Sequence, residues 1–464
     1  MIQQGVLSAE ALIAELRTSG VGTVVLGGAD THGIMRGKRV PVEQLGRLIE
    51  HGMPICDVFW VLTVDESEMV PRPPDHTGYF PTETNGYPDI LAIPDLATLR
   101  RVPWHDSTAL MLCDFHGQDR APLPISPRTV LDRVIQRARQ MGFEPQCGLE
   151  FEFYVLRESA ESVLTRRPAD LEPYQPRPST YGVVMGSRIE PLARLIRESA
   201  LAHDLPVETC NPETGPGQFE ITLRYAPALK AADDAFLFKT AVKELIQQEG
   251  LTATFMAKPR ADWAGNSCHV HVSLTDQSGT PVFFDANAKH GFSATMRHFV
   301  GGIIATMSEL TAIMAPTVNS YSRFTPYSWA GTTATWGIDN RTTGLRAVCE
   351  GQEGTRIEHR QAGGDVNPYL ATAAVVAGGL HGIANELEPA DLTHADVYAL
   401  APGTVPTLPT SLGQATDQLA ASRTARECLG EDFVGHYVGM KRAECEAHRR
   451  AVTDWEIARY LEAL

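Results

Sequence analysis

The stretch Asn211–Leu223 reads NPETGPGQFEITL and places Glu213 and Glu220 on either side of a Gly-Pro-Gly. Glycine and proline disfavour both a helix and a strand ladder, so we predict a tight turn over the first half. From Gln218 onward polar and apolar residues alternate with the period of a half-buried strand. The stretch therefore predicts a strand with Glu220 on its polar face and Glu213 fixed at its mouth by a rigid loop.

Three other segments place charged or polar side chains on one face of a predicted strand. Because successive side chains of a strand point to opposite faces, the alternation in the sequence assigns each side chain to one face of its strand. A single strand of this kind is typical of the solvated face of a sheet, but these faces select Glu, His and Arg and omit Lys. The segments are GLEFEFYVL (148–156) with Glu150 and Glu152, CHVHVSL (268–274) with His269, His271 and Ser273, and RIEHR (356–360) with Arg356, Glu358 and Arg360.

Five glutamates and one imidazole on these segments could supply two divalent cations with three ligands each. Hard oxygen ligands with at most one imidazole suit Mg²⁺ or Mn²⁺ better than Zn²⁺. Open coordination positions suit a cation that bridges the phosphates of a substrate. The ligand candidates are Glu150, Glu152, Glu213, Glu220, Glu358 and His269.

Arginines occur close to these segments in the sequence. Arginines beside acid-bound cations are what phosphoryl transfer requires, because charge spread over the phosphoryl oxygens must be neutralised. The chain has no G-x-x-x-x-G-K-[ST] sequence, so the sheet itself would have to bind a nucleotide. On the residues alone, a two-metal phosphohydrolase remains an alternative. The arginines are Arg323, Arg341, Arg346, Arg356 and Arg360.

Composition limits the class of protein. With 464 residues, 43% hydrophobic and 21% charged, we expect a globular protein of two domains. The formal charge of −16 argues against a nucleic-acid surface. Eight scattered cysteines without C-x-x-C indicate reduced thiols. The N-terminal stretch lacks the pattern of a signal peptide, and the apolar stretch Tyr369–Ile383 is too short for a bilayer, so we expect a cytoplasmic protein without a membrane partner.

Turn residues and short apolar runs predict the organisation of the chain. A helix is expected from about Ser8 to Gly20, another over 128–141 with Ser126 as its cap, and a last one over 453–464. The proline-rich passage 121–127 suggests a domain boundary near residue 120. Before it, β-like runs predict a small, mostly β domain: 21–26, 55–64, 89–94 and 109–113.

The chain resembles the glutamine synthetase family over nearly its full length. The resemblance implies an α+β fold, with a β-grasp-like N-terminal domain (1–120) and a catalytic domain (121–464) whose curved antiparallel sheet forms a half-barrel backed by helices. It also implies a homo-oligomer, a dodecamer of two hexameric rings with active sites between subunits. The resemblance rests on GLEFEF, NPETGPGQFE, TATFMAKP (252–259), GNSCHVHVSL (265–274), NSYSRF (319–324), NRTTGLR (340–346) and RIEHRQAGGDVNPYLA (356–371).

Roles for individual residues follow from the resemblance. One Mg²⁺ or Mn²⁺ would take Glu150, His269 and Glu358, and the other Glu152, Glu213 and Glu220. Glutamate would lie against Gly265, Arg323 and Arg360, with Arg341 near its γ-carboxylate and the transferring phosphate. ATP would face Tyr225, His271, Ser273, Arg346 and Arg356. In the family, ATP phosphorylates the γ-carboxylate of glutamate, and an amine then attacks the γ-glutamyl phosphate.

One departure from the family pattern bears on the nucleophile. Glutamine synthetases carry a Pro-Gly-x-Glu-Ala-Pro flap whose glutamate helps to deprotonate ammonium, whereas this chain reads PYSWAG (326–331), with Trp329 at that position. An indole accepts no proton but can line an apolar pocket. We therefore expect a ligase that joins glutamate to an organic primary amine. A true glutamine synthetase and a catalytically silent family member remain alternatives. The expected amine pocket comprises Asp57, Phe59, Trp60, Tyr181 and Trp329.

Overall fold

The computed structural model describes residues 9–74, 76, 78–82, 85–167 and 170–464. Within them the strands form two sheets, one of six strands and one of nine. All strands of the first sheet precede those of the second along the chain. The predicted α+β fold, a small β-rich N-terminal part followed by an antiparallel sheet backed by helices, is confirmed.

The first sheet has the strand order β2-β1-β6-β4-β3, with β5 beside β6. Strands β1 and β6 are parallel, and the other neighbours are antiparallel. Two helices contribute leucines to its apolar core, which is separate from the main core. The strands are β1 (Thr23–Ala29), β2 (Met35–Pro41), β3 (Met53–Cys56), β4 (Asp89–Pro94), β5 (Arg100–Arg101) and β6 (Thr108–His116), and the helices are α1 (Ala9–Thr18) and α2 (Leu45–His51).

The predicted strand over 55–64 is wrong beyond Cys56. Strand β3 ends there, and residues Asp57–Val61 form a short 3₁₀ helix. This turn directs Phe59 and Trp60 into the core, where both rings contact Phe115 at centroid distances of 5.3 and 5.4 Å. Burial of two aromatic rings thus outweighs the strand propensity of the run. The predicted helix cap at Ser8 lies outside the described residues.

The second sheet has the order β13-β14-β15-β12-β7-β9-β8, and its long strand β7 also pairs with β10 and β11. Every pairing is antiparallel except that of β13 with β14. The strands are β7 (Phe143–Leu156), β8 (Val207–Pro212), β9 (Gln218–Leu223), β10 (Ala226–Pro227), β11 (Thr252–Thr254), β12 (Cys268–Asp276), β13 (Trp336–Ile338), β14 (Leu345–Val348) and β15 (Arg356–His359).

Helices pack on the apolar face of the second sheet and form the main core. On β7, Phe151 and Phe153 point into this core, since they alternate with Glu150 and Glu152 on the other face. The helices of this part of the chain are α3 (Pro127–Gln140), α4 (Ala160–Val163), α5 (Val183–Gly186), α6 (Glu190–Ala202), α7 (Ala228–Gln248), α8 (Ala294–Thr306), α9 (Thr311–Met314), α10 (Gly351–Gly354), α11 (Pro368–Ala384), α12 (Leu412–Ala421), α13 (Arg423–Leu429), α14 (Glu431–Arg450) and α15 (Asp454–Tyr460). Of these, α4, α5, α10 and α15 have no buried residues and lie outside the core.

The most apolar stretch of the sequence forms α11, a helix buried in the main core. It lies directly against α8 because both helices carry glycine at the crossing: a Cβ on Gly302 would be 2.2 Å from the carbonyl oxygen of Gly378. A helix that is apolar all round is typical of a protein interior. Within the described part of the chain, no helix is both long and apolar enough to cross a membrane.

A buried arginine connects the first sheet to the helices of the main core. The Arg128 guanidinium, at the start of α3, donates to Asp114 at 2.8 Å, to Asp95 at 2.7 Å and to Asp233 at 3.0 Å. Asp95 and Asp114 belong to the first-sheet region, whereas Asp233 lies on α7 and also accepts from the Tyr369 hydroxyl at 2.7 Å. One guanidinium therefore holds carboxylates from two regions of the chain.

Candidate active site

The register of four neighbouring strands aligns the acidic and imidazole side chains. His269 on β12 is paired with Glu150 on β7, and Glu152 on β7 is paired with Glu220 on β9. On the other side of β12, His271 is paired with Glu358 on β15. Because paired residues project from the same face, these side chains meet on the side of the sheet opposite the apolar core.

The stretch Asn211–Leu223 forms a hairpin, and the prediction that its first half is only a turn is wrong for its first two residues. Asn211 and Pro212 end β8, and the turn spans 213–217. Gly217 has φ +72°, a backbone conformation that favours glycine. The amide of Glu213 donates to the carbonyl of Gln218 at 3.0 Å, which fixes Glu213 at the mouth of the hairpin as predicted.

Glu150, His269 and Glu358 form a compact ligand group, with one ligand atom of each within 4.8 Å of the others. Glu150 Oε1 is 2.9 Å and Glu358 Oε1 3.5 Å from His269 Nδ1. The other ring nitrogen, Nε2, is buried and lacks a hydrogen-bond partner. Burial alone would raise the pKa of Glu358, but the charges of His269 and Arg360 outweigh it and lower the pKa to about 2. The group thus offers an ionised carboxylate as a ligand at neutral pH.

Glu152, Glu213 and Glu220 form a looser second acidic group: their charges act on one another, but among the described residues only Glu150, His269 and Glu358 bring their ligand atoms within 4.8 Å of one another. Burial, and then the charge of Glu213, raise the pKa of Glu152 to about 7. Burial, and then the charges of Glu150 and Glu152, raise the pKa of Glu220 to about 9. Like charges gathered in a buried place have this effect, and a bound cation would reverse it. Both groups have the hard oxygen donors that fit Mg²⁺ or Mn²⁺.

Two of the predicted arginines pair with Glu358. Arg346 Nη1 donates to Glu358 Oε2 at 2.8 Å, and Arg360 donates to Glu358 Oε1. Arg360 Nε also donates to the Arg341 carbonyl at 3.0 Å, while the Arg341 side chain itself is half-exposed. Arg356 pairs with Glu350 at 2.9 Å at the edge of the group. The structure thus brings Arg346 and Arg360 onto Glu358, whereas the side chains of Arg341 and Arg356 pair with Asp339 and Glu350.

Arg323 and Gly265 lie together, and the Arg323 side chain is bonded to neighbouring protein atoms. Its buried guanidinium donates to the Gln361 carbonyl at 2.7 Å, to Ser267 Oγ at 2.8 Å and to the Arg360 carbonyl at 3.2 Å. A Cβ on Gly265 would lie 2.6 Å from Cγ of Arg323. In this structure Arg323 therefore holds the backbone beside Arg360.

The predicted ATP-facing residues lie on one side of the glutamates. His271 and Ser273 follow His269 along the polar face of β12, and His271 Nε2 is 3.7 Å from Glu150 Oε2. Tyr225 is exposed, and its Cβ is 3.5 Å from the position a Cβ would take on Gly148, which is paired with His271. Tyr225 and His271 therefore flank the same point of the sheet.

Two of the predicted pocket residues lie at the edge of this site. Trp329 is 54% exposed, on a loop that packs against Arg360, since a Cβ on Gly331 would be 3.3 Å from Arg360 Cβ. Tyr181 is also exposed, and its amide donates to the Pro212 carbonyl at 3.2 Å, next to Glu213. Burial, and then the charges of Glu220 and Glu213, raise the pKa of Tyr181.

The other predicted pocket residues belong to the first sheet. Phe59 and Trp60 are 6% and 1% exposed and pack in its core, so neither ring lines an open pocket within the single chain, and their place in the amine pocket stays a prediction. Asp57 precedes them in the same turn, where Tyr79 Oη donates to its Oδ2 at 3.1 Å. Asp57 Oδ1 is buried without a partner, and burial raises the pKa of this carboxyl.

Sequence reasoning missed the buried amides beneath the acidic groups. Gln218 Nε2 lies 3.4 Å from Glu152 Oε2 and donates to Asn266 Oδ1 at 2.9 Å. The amide of Ser267 donates to Glu152 Oε2 at 2.7 Å. The alternation of polar and apolar residues in β9 places Gln218 on the same face as Glu220. This alternation could have indicated that Gln218 lies near the acidic side chains. Asn266 is outside a strand and carried no such signal.

Fold and site together describe an antiparallel sheet that carries a candidate centre for divalent cations on its polar face. Residues 124–460 match the family model described as glutamine synthetase, catalytic domain. The chain belongs to the glutamine synthetase family.

Similar proteins in this family are named for different activities, and one solved structure has the same fold. A glutamate–isopropylamine ligase from Pseudomonas is 38% identical over 96% of both chains. A gamma-glutamylethanolamide synthetase from Streptomyces coelicolor is 37% identical over 99% of this chain and 96% of its own. A type-1 glutamine synthetase from Dictyostelium discoideum is 37% identical over 99% of this chain and 87% of its own. A solved structure described as apo GmaS without ligand superposes with a TM-score of 0.82 at 30% identity, over 97% of this chain and 99% of that one.

Proposed function

We propose that this protein is an ATP-dependent ligase that joins L-glutamate to an organic primary amine through γ-glutamyl phosphate. The observation that supports an organic amine is Trp329, an exposed indole at the position where the family flap carries a glutamate, two residues before Gly331, which packs against Arg360. The lone pair of the indole nitrogen belongs to the aromatic ring system and accepts no proton from ammonium, but the ring packs well on a carbon chain. Relatives named for isopropylamine and ethanolamide agree with this choice.

Two or more Mg²⁺ or Mn²⁺ ions per active site are part of the proposal. One would be held by Glu150, His269 and Glu358, whose ligand atoms already lie within 4.8 Å of one another. The other would be held by Glu152, Glu213 and Glu220, the carboxylates whose pKa values are raised by burial and mutual repulsion. When bound, the ions would neutralise charge on the phosphates of ATP.

The proposed reaction has two steps. An oxygen of the glutamate γ-carboxylate attacks the γ-phosphorus of ATP, and the bond to ADP breaks. The amine nitrogen then attacks the acyl carbon, inorganic phosphate leaves, and the nitrogen loses a proton to form the amide.

The arginines would act in both steps by positioning and by charge. Arg341, with its half-exposed side chain, would reach the γ-carboxylate and the transferring phosphate. Arg360, fixed by Glu358 and the Arg341 carbonyl, would hold the glutamate together with Arg323 and Gly265. Loss of such a contact costs roughly 10²–10³-fold in rate. Tyr225, His271, Ser273, Arg346 and Arg356 would contact ATP.

The amine would enter between Trp329 and Tyr181, both exposed at the edge of the acidic groups. We propose that Asp57 of a neighbouring subunit completes this pocket and takes the proton. Its Oδ1 is buried without a partner, and its raised pKa suits an acid that exchanges protons.

The proposal extends to the assembly and the location of the protein. We propose a cytoplasmic homo-oligomer, a dodecamer of two hexameric rings with active sites between subunits. We also propose that residues 1–120 and 121–464 are its two domains. The apolar cluster that the first sheet forms with α1 and α2 supports this division, and Ala29, Leu110 and Leu112 of the same sheet contact the main core.

A phosphate-release assay with glutamate, ATP, Mg²⁺ and a panel of amines tests the function. The panel contains ammonium, isopropylamine, ethanolamine, aniline and putrescine. We expect one organic amine to exceed ammonium in kcat/KM by about tenfold or more, the discrimination that an apolar pocket supplies. Trp329→Ala should raise KM for that amine and leave KM for glutamate and ATP unchanged.

Trp455→Ala is the matched control, because Trp455 is also exposed but lies on α15. A preference for ammonium over every amine would instead identify a true glutamine synthetase. Absence of turnover together with absence of metal-dependent ATP binding by calorimetry would identify a catalytically silent member.

A further inference from the structure

A buried lysine lies on the apolar side of the second sheet, behind the acidic groups. Lys239 on α7 is 9% exposed, and its Nζ donates to the carbonyls of Gly364 and Val366, each at 2.8 Å. The ammonium also lies over the rings of Phe151 and Phe255, 5.8 and 5.3 Å from their centroids. A buried ammonium bound by carbonyls and ring faces is costly to place, and such groups are kept where they fix a local conformation.

The segment that Lys239 holds, residues 364–366, lies between β15 and α11 and packs against the backbone of Glu152. A Cβ on Gly364 would be 3.0 Å from the Glu152 carbonyl oxygen and 3.1 Å from Asn266 Cβ. The Gly364 amide donates to the Asn266 carbonyl at 2.9 Å. The two hydrogen bonds of Lys239 therefore fix the segment 364–366 next to the residues that surround Glu152.

Asn266 continues the network from this segment to the acidic face. It is fully buried, and its side-chain amide donates to the Met256 carbonyl at 2.8 Å while its Oδ1 accepts from Gln218 at 2.9 Å. Gln218 also donates to the Gly265 carbonyl at 3.0 Å and accepts from the Gly215 amide at 2.8 Å. Its Nε2 lies 3.4 Å from Glu152 Oε2.

We infer that Lys239, Asn266 and Gln218 are positioning residues that orient Glu152 and the 213–217 turn for the second cation. The network reaches Glu152 through Gln218 and reaches the turn through Gly215, whereas none of its bonds described above contacts Glu150, His269 or Glu358. The inference rests on the two-cation centre of the proposed function. Mutation of a residue that hydrogen-bonds to a metal ligand and orients it typically weakens metal binding about 10–100-fold.

Binding of Mn²⁺ to the full-length protein, followed by electron paramagnetic resonance without substrates, tests the inference. We expect two sites per chain in the wild type. Lys239→Met and Gln218→Met should each weaken one site by about 10–100-fold and leave the other unchanged. Lys289→Met is the control, because Lys289 is exposed and makes none of the contacts described above.

The outcomes separate the inference from the proposed function. Wild type that binds no Mn²⁺ would contradict the proposed two-cation centre itself. Wild type with two sites, and variants with the same two affinities or with both weakened equally, would overturn the positioning role. Circular dichroism establishes that each variant is folded, and Gln218→Met supplies the test if Lys239→Met does not fold.

Discussion

At the level of single residues, the carboxyl groups of Glu152 and Glu220 set the pH response of the site. Their pKa values are raised to about 7 and about 9, first by burial and then by neighbouring carboxylates. Above the ordinary pKa of 4.5, the folded protein therefore holds protons that the unfolded chain has released. Linkage requires that their contribution to stability falls as the pH rises.

We predict that the metal-free protein loses stability between pH 6 and pH 9 and that Mg²⁺ removes much of this loss. The ion replaces the protons as the positive partner of the carboxylates. Thermal melting at several pH values, in EDTA and in excess Mg²⁺, measures both effects. Glu220→Gln should flatten the slope seen in EDTA, because it removes the group with the higher pKa.

Glu462→Gln, at the exposed C-terminal end, is the control and should leave the slope unchanged. An identical slope in wild type and Glu220→Gln would contradict the assignment of the pH response to the acidic group.

At the level of elements, Arg128 at the start of α3 joins the first sheet to α7. Its guanidinium donates hydrogen bonds to Asp95, Asp114 and Asp233. Without Arg128, these three neighbouring carboxylates would lose their shared positive partner. Removal of one partner of a buried ion pair destabilises the fold more than replacement of both partners by apolar residues, because it leaves an uncompensated buried charge. The burial of Arg128 makes this cost larger than that of a surface pair.

We predict that Arg128→Met lowers the free energy of unfolding by about 3–5 kcal/mol, the range for a broken buried ion pair. Urea unfolding followed by fluorescence and circular dichroism measures the loss. Arg139→Met is the control on the same helix, because Arg139 is 48% exposed and has one partner, Glu144. Its removal should cost less than about 1 kcal/mol. Equal losses for the two variants would show that the network around Arg128 contributes little.

At the level of the whole molecule, the position of Asp57 raises the question of how many chains make one active site. Asp57 lies in the first-sheet core region, and its recorded partner is Tyr79 rather than any member of the acidic groups. If neighbouring chains share a site in a ring, each site combines Asp57 of one chain with Glu358 of the next.

We predict that two inactive variants complement each other. Asp57→Asn and Glu358→Gln should each abolish ligase activity when assembled alone. Co-assembly in equal amounts should restore roughly a quarter of the activity, because in a heterologous ring one site in four receives both intact halves. Mixing the preformed oligomers without unfolding is the control. No recovery after co-assembly would place both residues in one chain's site or remove Asp57 from the mechanism.

The sequence by itself determined the strands and the faces of their side chains. Alternation is a local property, so Glu150, Glu152, Glu220, His269 and Glu358 could be assigned to polar faces before any fold was known. The ligand chemistry followed from the residue types, and the family from ordered motifs that span the chain.

Only the tertiary structure decided which residues meet. Strand order and register, set by contacts between distant segments, brought Glu358 against His269 and left Phe59 and Trp60 in a separate core. The tertiary structure also revealed Lys239, whose partners are backbone carbonyls far along the chain, and Asn266, which accepts from the side chain of Gln218 on a distant strand; neither carries a local pattern. Local periodicity fixes the direction of a side chain, whereas burial and long-range pairing fix what it contacts.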